Sequence, residues 1–191
     1  MPHNPELEKL LPQYLHGNVL QIAQDFVVFM RANTMSPAYQ PSLRFKCNCK
    51  GKTICTISLP RAFPNPNPYR DNEFAQAWMN EENRTNQWVV IPQLDHLCEY
   101  EDLIDDEMKE TLWDEKNMYT CNGCWKSNAN FPQPRDMCGP RPVRTLLGRE
   151  FQGLCNRGFF WFFTPDEVTI TYIKKLLEWE QQARGSNQQT K

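Results

Sequence analysis

The chain has no run of about 18 apolar residues, so no membrane-spanning helix is expected. It has no excess of one charge. Its 21 Lys and Arg face 23 Asp and Glu, a net of −2, so it is not a uniformly basic nucleic-acid binder. Glycine is scarce at 8 residues, and neither phosphate-cradling pattern (GxxxxGKS/T or GxGxxG) occurs. HExxH and GxSxG are missing too, which removes the common zinc-protease and serine-hydrolase readings. The start MPHNPELEKL lacks a basic flank followed by an apolar stretch and does not read as a signal peptide. The expectation is an intracellular protein of cytoplasm or nucleus, with reduced thiols. On that reading the sequon Asn83-Arg84-Thr85 carries no glycan, since its acceptor role needs the secretory pathway.

What is present suits a folded domain. Hydrophobic residues make up 40% of the 191, and 6 Trp, 6 Tyr and 11 Phe supply a core. One domain over residues 1–184 is expected, followed by a polar tail over 185–191.

Periodicity outlines the elements. Asn4-Pro5, then Glu6 and Glu8, is a helix start, and Pro12 ends or kinks that piece. Asn18 caps a core helix whose stripe is Val19, Leu20, Ile22, Ala23, Phe26, Val27, Phe29 and Met30. Residues 33–42 read as loop, and 43–59 as a hairpin turning at Lys50-Gly51-Lys52. The proline-dense segment 60–70 forms no regular element, and 72–82 reads as a short helix around Phe74, Ala77 and Trp78. WVVIPQL (88–94) reads as a strand limited by Pro92. Residues 93–116 are acidic, with Leu97, Tyr100, Leu103, Ile104, Met108, Leu112 and Trp113 on a helical stripe that takes in Cys98. A second proline-rich loop follows, and then Phe159 to Phe163, five aromatics in a row, reads as a strand buried on both faces. Thr164-Pro165-Asp166-Glu167 opens a last helix to about Ala183, with Thr164 as its cap. The fold class is α+β: a small antiparallel sheet packed by N-terminal and C-terminal helices, with proline-rich loops stapled by structural zinc.

The zinc expectation rests on 8 cysteines: Cys47, Cys49, Cys55, Cys98, Cys121, Cys124, Cys138 and Cys155. Cys121-Asn122-Gly123-Cys124 is a C-x-x-C turn that can aim both thiolates at one ion. Cys47 and Cys49 are the first choice to complete four ligands, and Cys138 with Cys155 is the competing pair. The alternative is a set of reduced core cysteines, with Cys55 and Cys98 the plainest examples. A four-cysteine site leaves no open coordination position, so it would be structural.

Charge is segregated. Residues 41–70 carry Arg44, Lys46, Lys50, Lys52, Arg61 and Arg70 and no acid, and residues 126–157 are also net basic. If metal joins these stretches, Lys46, Lys50, Lys52, Arg61, Arg141 and Arg144 form one surface for RNA or DNA phosphates. The function read from this is a non-enzymatic zinc-binding interaction protein that binds nucleic acid. A protein–protein adaptor or viral or regulatory accessory factor is the second reading. No membrane partner and no small-molecule substrate are implied.

Two resemblances touch these residues. Cys121-Asn122-Gly123-Cys124-Trp125 resembles the stretch around the papain nucleophile. That family places its base histidine downstream, whereas here His3, His16 and His96 all precede Cys124. A thiol enzyme pairing Cys124 with His96 would need a different topology. Separately, Arg44-Phe45-Lys46-Cys47, Tyr119 to Cys124, and Leu154-Cys155-Asn156-Arg157-Gly158 are similar in order to the three-CxxC zinc fingers of receptor-transporter and zygote-arrest proteins. The first motif here is C-x-C and the third has one cysteine. That resemblance implies a zinc-binding interaction or RNA-binding module.

Overall fold

The computed structural model describes residues 6–40, 43–59, 86–114, 117–118, 143–152 and 160–186. Helix α1 (Leu7–Tyr14) and helix α2 (Gly17–Ala32) open the chain. Pro12 lies inside α1, which continues for two more residues. Gly17, with φ of 59°, turns the chain between the two helices, and His16, not Asn18, precedes the first turn of α2. The His16 amide is taken by the Asn86 side chain at 2.8 Å, so a distant segment does the work of a local cap. Leu7 and Leu11 of α1 and Ile22, Ala23, Phe26, Val27 and Met30 of α2 face the core. An ion pair from Arg31 to Glu8, at 2.9 Å, joins the helices at the surface.

Strands β1 (Ser36–Gln40), β2 (Arg44–Cys49), β3 (Lys52–Ser58) and β4 (Val89–Pro92) follow. β5 (Val143–Leu146) and β6 (Arg149–Gln152) form a separate hairpin, and β7 is Phe162–Phe163. The main sheet has five strands in the order β1-β2-β3-β4-β7, with every pairing antiparallel. The expected hairpin over 43–59 is β2 and β3. Lys50 and Gly51 have φ of 49° and 79°, the pair of left-handed residues that a two-residue type I′ turn demands. Residues 36–40, expected as loop, form strand β1 instead. Their sequence has little apolar alternation, and it is pairing to β2, with Tyr39 opposite Phe45, that makes them a strand.

Helix α3 (Asp106–Trp113) and helix α4 (Glu167–Ser186) complete the fold. Among its described residues, the acidic segment is α-helical only over α3. Residues 97–103 form two short 3₁₀ turns, and Cys98 is exposed rather than on a core stripe. Asp105 caps α3 by accepting from the Met108 amide at 2.8 Å. Asp166 caps α4 in the same way, accepting from Thr169 at 2.8 Å. Thr164 therefore does not cap α4. With φ of 42° it bonds back to Trp88 on the strand side, its amide donating to the Trp88 carbonyl at 2.7 Å.

One face of the sheet carries Phe45, Cys47, Ile57, Val90 and Phe162 into a core shared with α1, α2 and α4. Trp88 and Phe26 meet edge to face there, with ring centroids 5.8 Å apart. On the other face, Val89 and Ile91 form a second cluster with Trp161 and Phe163. The aromatic run thus alternates. Phe160 and Phe162 enter the main core, and Trp161 and Phe163 the smaller cluster. Phe159 lies outside the described residues.

Candidate functional site

The outward face of β1, β2 and β3 is the basic surface that the sequence anticipates in part. Register sets it: Ser36 opposite Asn48, Ala38 opposite Lys46, Gln40 opposite Arg44, and Lys46 opposite Thr56. Arg44 and Lys46 are exposed on it, and Lys52 is exposed at the start of β3. Around them stand Gln40, Asn48, Thr53 and Thr56, all half-buried and all able to hydrogen-bond. The Thr53 hydroxyl donates to the Asn48 side chain at 3.0 Å. The five strands of this sheet contain no Asp or Glu. Exposure falls towards β4, where Val89 is fully covered, so the open part is the half nearest edge strand β1.

Lys50 behaves differently. Its ammonium lies against the end of α4, 3.2 Å from where a Cβ at Gly185 would sit. That end is the negative pole of the helix dipole, so the charge serves the fold before any partner. Arg144 is in β5, which pairs only with β6 in the separate hairpin. Arg61 and Arg141 lie outside the described residues. In the same hairpin, Arg149 sits over the rings of Trp113 and Phe151, at 5.9 and 5.4 Å, and Trp113 Nε1 donates to the Leu146 carbonyl at 3.0 Å. This hairpin was not expected from the sequence, although Leu147-Gly148, with φ of 51° and 82°, is a second type I′ turn.

The cysteines divide. Cys47 and Cys49 point into the core and are buried. The Cys47 thiol lies 3.8 Å from the Phe45 carbonyl oxygen, and the Cys49 sulfur accepts from Gln181 Nε2 at 3.3 Å. Cys55 stands directly across from Cys47. Burial pushes the Cys47 thiol well up, and its hydrogen bond with Cys55 pushes it further, so it is held neutral. Among the described residues, no three His, Cys, Asp or Glu side chains gather where they could hold a metal ion. Cys121, Cys124, Cys138 and Cys155 lie outside the described residues.

The densest polar chemistry centres on Glu180 of α4, which is fully buried. Its carboxylate accepts from His96 Nδ1 at 2.9 Å, the His96 amide at 3.1 Å, the Tyr100 hydroxyl at 3.0 Å and Arg184 Nε at 2.7 Å. Arg184 also donates to the carbonyls of Thr53 and Gln93 and to Asp95, each at 2.9 Å. Burial alone would raise the Glu180 carboxyl, but the bonds from His96, Arg184 and Tyr100 overcome it and hold the group below its ordinary value. Burial and the Glu180 charge push the Tyr100 hydroxyl far up, so it stays a donor. The cluster ties α4 to β3 and to the segment after β4. The sequence shows Glu180 only as one more charge on a helix. The hint available was that it falls one turn after Leu176 and Leu177, on the inward stripe.

No protein-family model, curated protein or solved structure matches the chain. Among the described residues, no helix is long and apolar enough to cross a membrane.

Proposed function

We propose that this protein is a non-enzymatic nucleic-acid-binding protein that meets phosphates on the outward face of β1–β3. One observation carries the reading: a sheet face with Arg44 and Lys46, hydrogen-bonding neighbours and no acid in any of its strands, with Lys52 exposed beside it at the hairpin end. An antiparallel sheet with one face on a core and one open is a natural platform for a strand of RNA or DNA. The structural zinc belongs to this proposal through Cys121, Cys124, Cys138 and Cys155, because Cys47 and Cys49 are occupied in core packing. The Glu180 cluster supports the non-enzymatic part. Both carboxylate oxygens already carry two donors, as in a structural anchor.

The test is binding to a labelled single-stranded oligonucleotide across a salt series. Affinity should fall steeply with salt, and Lys46→Glu with Lys52→Glu should weaken binding at every sequence. Undetectable binding at low salt, or binding indifferent to both charge reversals, would refute the proposal.

One observation favours a second reading, the cysteine-dependent enzyme using Cys124 and His96. Glu180 engages His96 Nδ1, which leaves Nε2 as the nitrogen for proton transfer, the arrangement that orients a catalytic histidine. That reading requires fast, selective alkylation of Cys124 at neutral pH, lost in His96→Ala. Uniform or slow labelling of all thiols removes it.

A further inference from the structure

We infer that Cys47 and Cys55 are a built disulfide site, closing a cross-strand link between β2 and β3 when the protein meets a small-molecule disulfide oxidant. The inference does not depend on the nucleic-acid proposal.

The two residues are direct partners in the antiparallel register. Directly opposed residues in such a pair have Cα atoms about 4.5 or 5.5 Å apart. A disulfide accepts Cα separations of about 4.4–6.8 Å, so either value fits without moving the backbone. The register is fixed from both sides. Phe45 pairs with Ile57 in the core before the site, and the irregularity between Cys47 and Asn48 and the Lys50-Gly51 turn follow it. A register slip would carry the buried partners to the outer face. Both side chains are fully buried in one core. The other described cysteines are placed elsewhere. Cys49 pairs with Lys52 and meets Gln181, and Cys98 is exposed on a 3₁₀ turn.

The chemistry balances with oxidised glutathione as oxidant. One cysteine thiolate attacks a sulfur of the oxidant, forming a mixed disulfide and releasing one glutathione thiolate, which takes the proton. The second cysteine thiolate attacks the protein sulfur of the mixed disulfide and releases the second glutathione. The two cysteines are oxidised, and one glutathione disulfide becomes two thiols. Because both sulfurs are buried, exchange waits on opening of the hairpin, and the finished bond is shielded from reductant. The link would pin the strands that carry Lys46 and Lys52.

The full chain, with thiols reduced and any bound metal retained, is incubated folded with oxidised glutathione, then alkylated in denaturant and digested with trypsin. The expected product is a linked pair of peptides, Cys47–Lys50 joined to Thr53–Arg61, with a raised melting temperature that a dithiol reductant reverses. It should persist in Cys49→Ser and vanish in Cys55→Ser and Cys47→Ser. The inference is overturned if Cys47 and Cys55 stay fully alkylatable while a urea-unfolded control forms disulfides. It is equally overturned if Cys47→Ser gives the link in undiminished yield through Cys49, or if added zinc binds Cys47 and protects it from oxidation.

Discussion

Removing Glu180 should cost a large share of the fold's stability. The substitution Glu180→Ala deletes an acceptor that serves four donors: His96 Nδ1, the His96 amide, the Tyr100 hydroxyl and Arg184 Nε. Arg184 keeps the carbonyls of Thr53 and Gln93 and the Asp95 carboxylate. Asp95, however, has a side chain 68% exposed and cannot replace a buried counter-ion. Removing one member of a buried ion pair costs about 3–5 kcal/mol, mostly through the charge left behind. Domains of this kind are stable by about 5–15 kcal/mol, so Glu180→Ala should remove a large share. Glu180→Gln keeps the volume and one accepting oxygen but leaves the same buried Arg184 charge and turns an amide towards donors, so a loss of about 3–5 kcal/mol is expected again. Urea unfolding followed by tryptophan fluorescence measures both, at unchanged slope. A double cycle with Arg184→Ala isolates the coupling between the two charges. A loss below about 1 kcal/mol for Glu180→Ala would place the pair among exposed ion pairs and refute the reasoning from burial. The same group sets an acid limit. Its folded value lies below the ordinary 4.5, so its contribution is full above that value and is lost as pH falls through the folded one. Wild type should therefore lose more stability than Glu180→Gln on acidification below pH 4.5.

Three further outcomes follow from the geometry. Asp166→Ala should cost about 1 kcal/mol by uncapping α4, and Thr164→Ala clearly less, which denaturant midpoints will separate. Gly51→Ala meets nothing within 4 Å but must adopt φ of 79°, so a loss of about 1–2 kcal/mol would come from backbone strain alone. Reversing Lys46 and Lys52 together should flatten the slope of log affinity against log salt by about 1.4 on single-stranded nucleic acid. An unchanged slope would mean that neither lysine meets a phosphate.

The sequence by itself determined the elements with strong local signals. Alternation and a Lys-Gly turn specified the β2–β3 hairpin. Wide apolar stripes specified α2 and α4, and five consecutive aromatics marked the place of β7, although the strand is only Phe162–Phe163 and Trp161 and Phe163 stay half-buried. It also placed Lys46 and Lys52 together on a basic segment, because charge composition needs no folding to be read. Tertiary structure decided whatever depends on a partner distant in sequence. β1 is a strand only because β2 offers it a ladder. The Asn86 side chain takes the amide at the start of α2 from 70 positions away. Lys50 is drawn to the end of α4, and Glu180 gathers His96, Tyr100 and Arg184 into a cluster that no local pattern announces. Cys47 and Cys49, with one residue between them on a single strand, read from the sequence as the first choice of metal ligands, with reduced core cysteines as the alternative. Only the register, which sets Cys55 opposite one, and the packing of α4, which sets Gln181 beside the other, assign both to the core: a side chain's chemistry is fixed by what surrounds it, and the chain supplies those surroundings only when it folds.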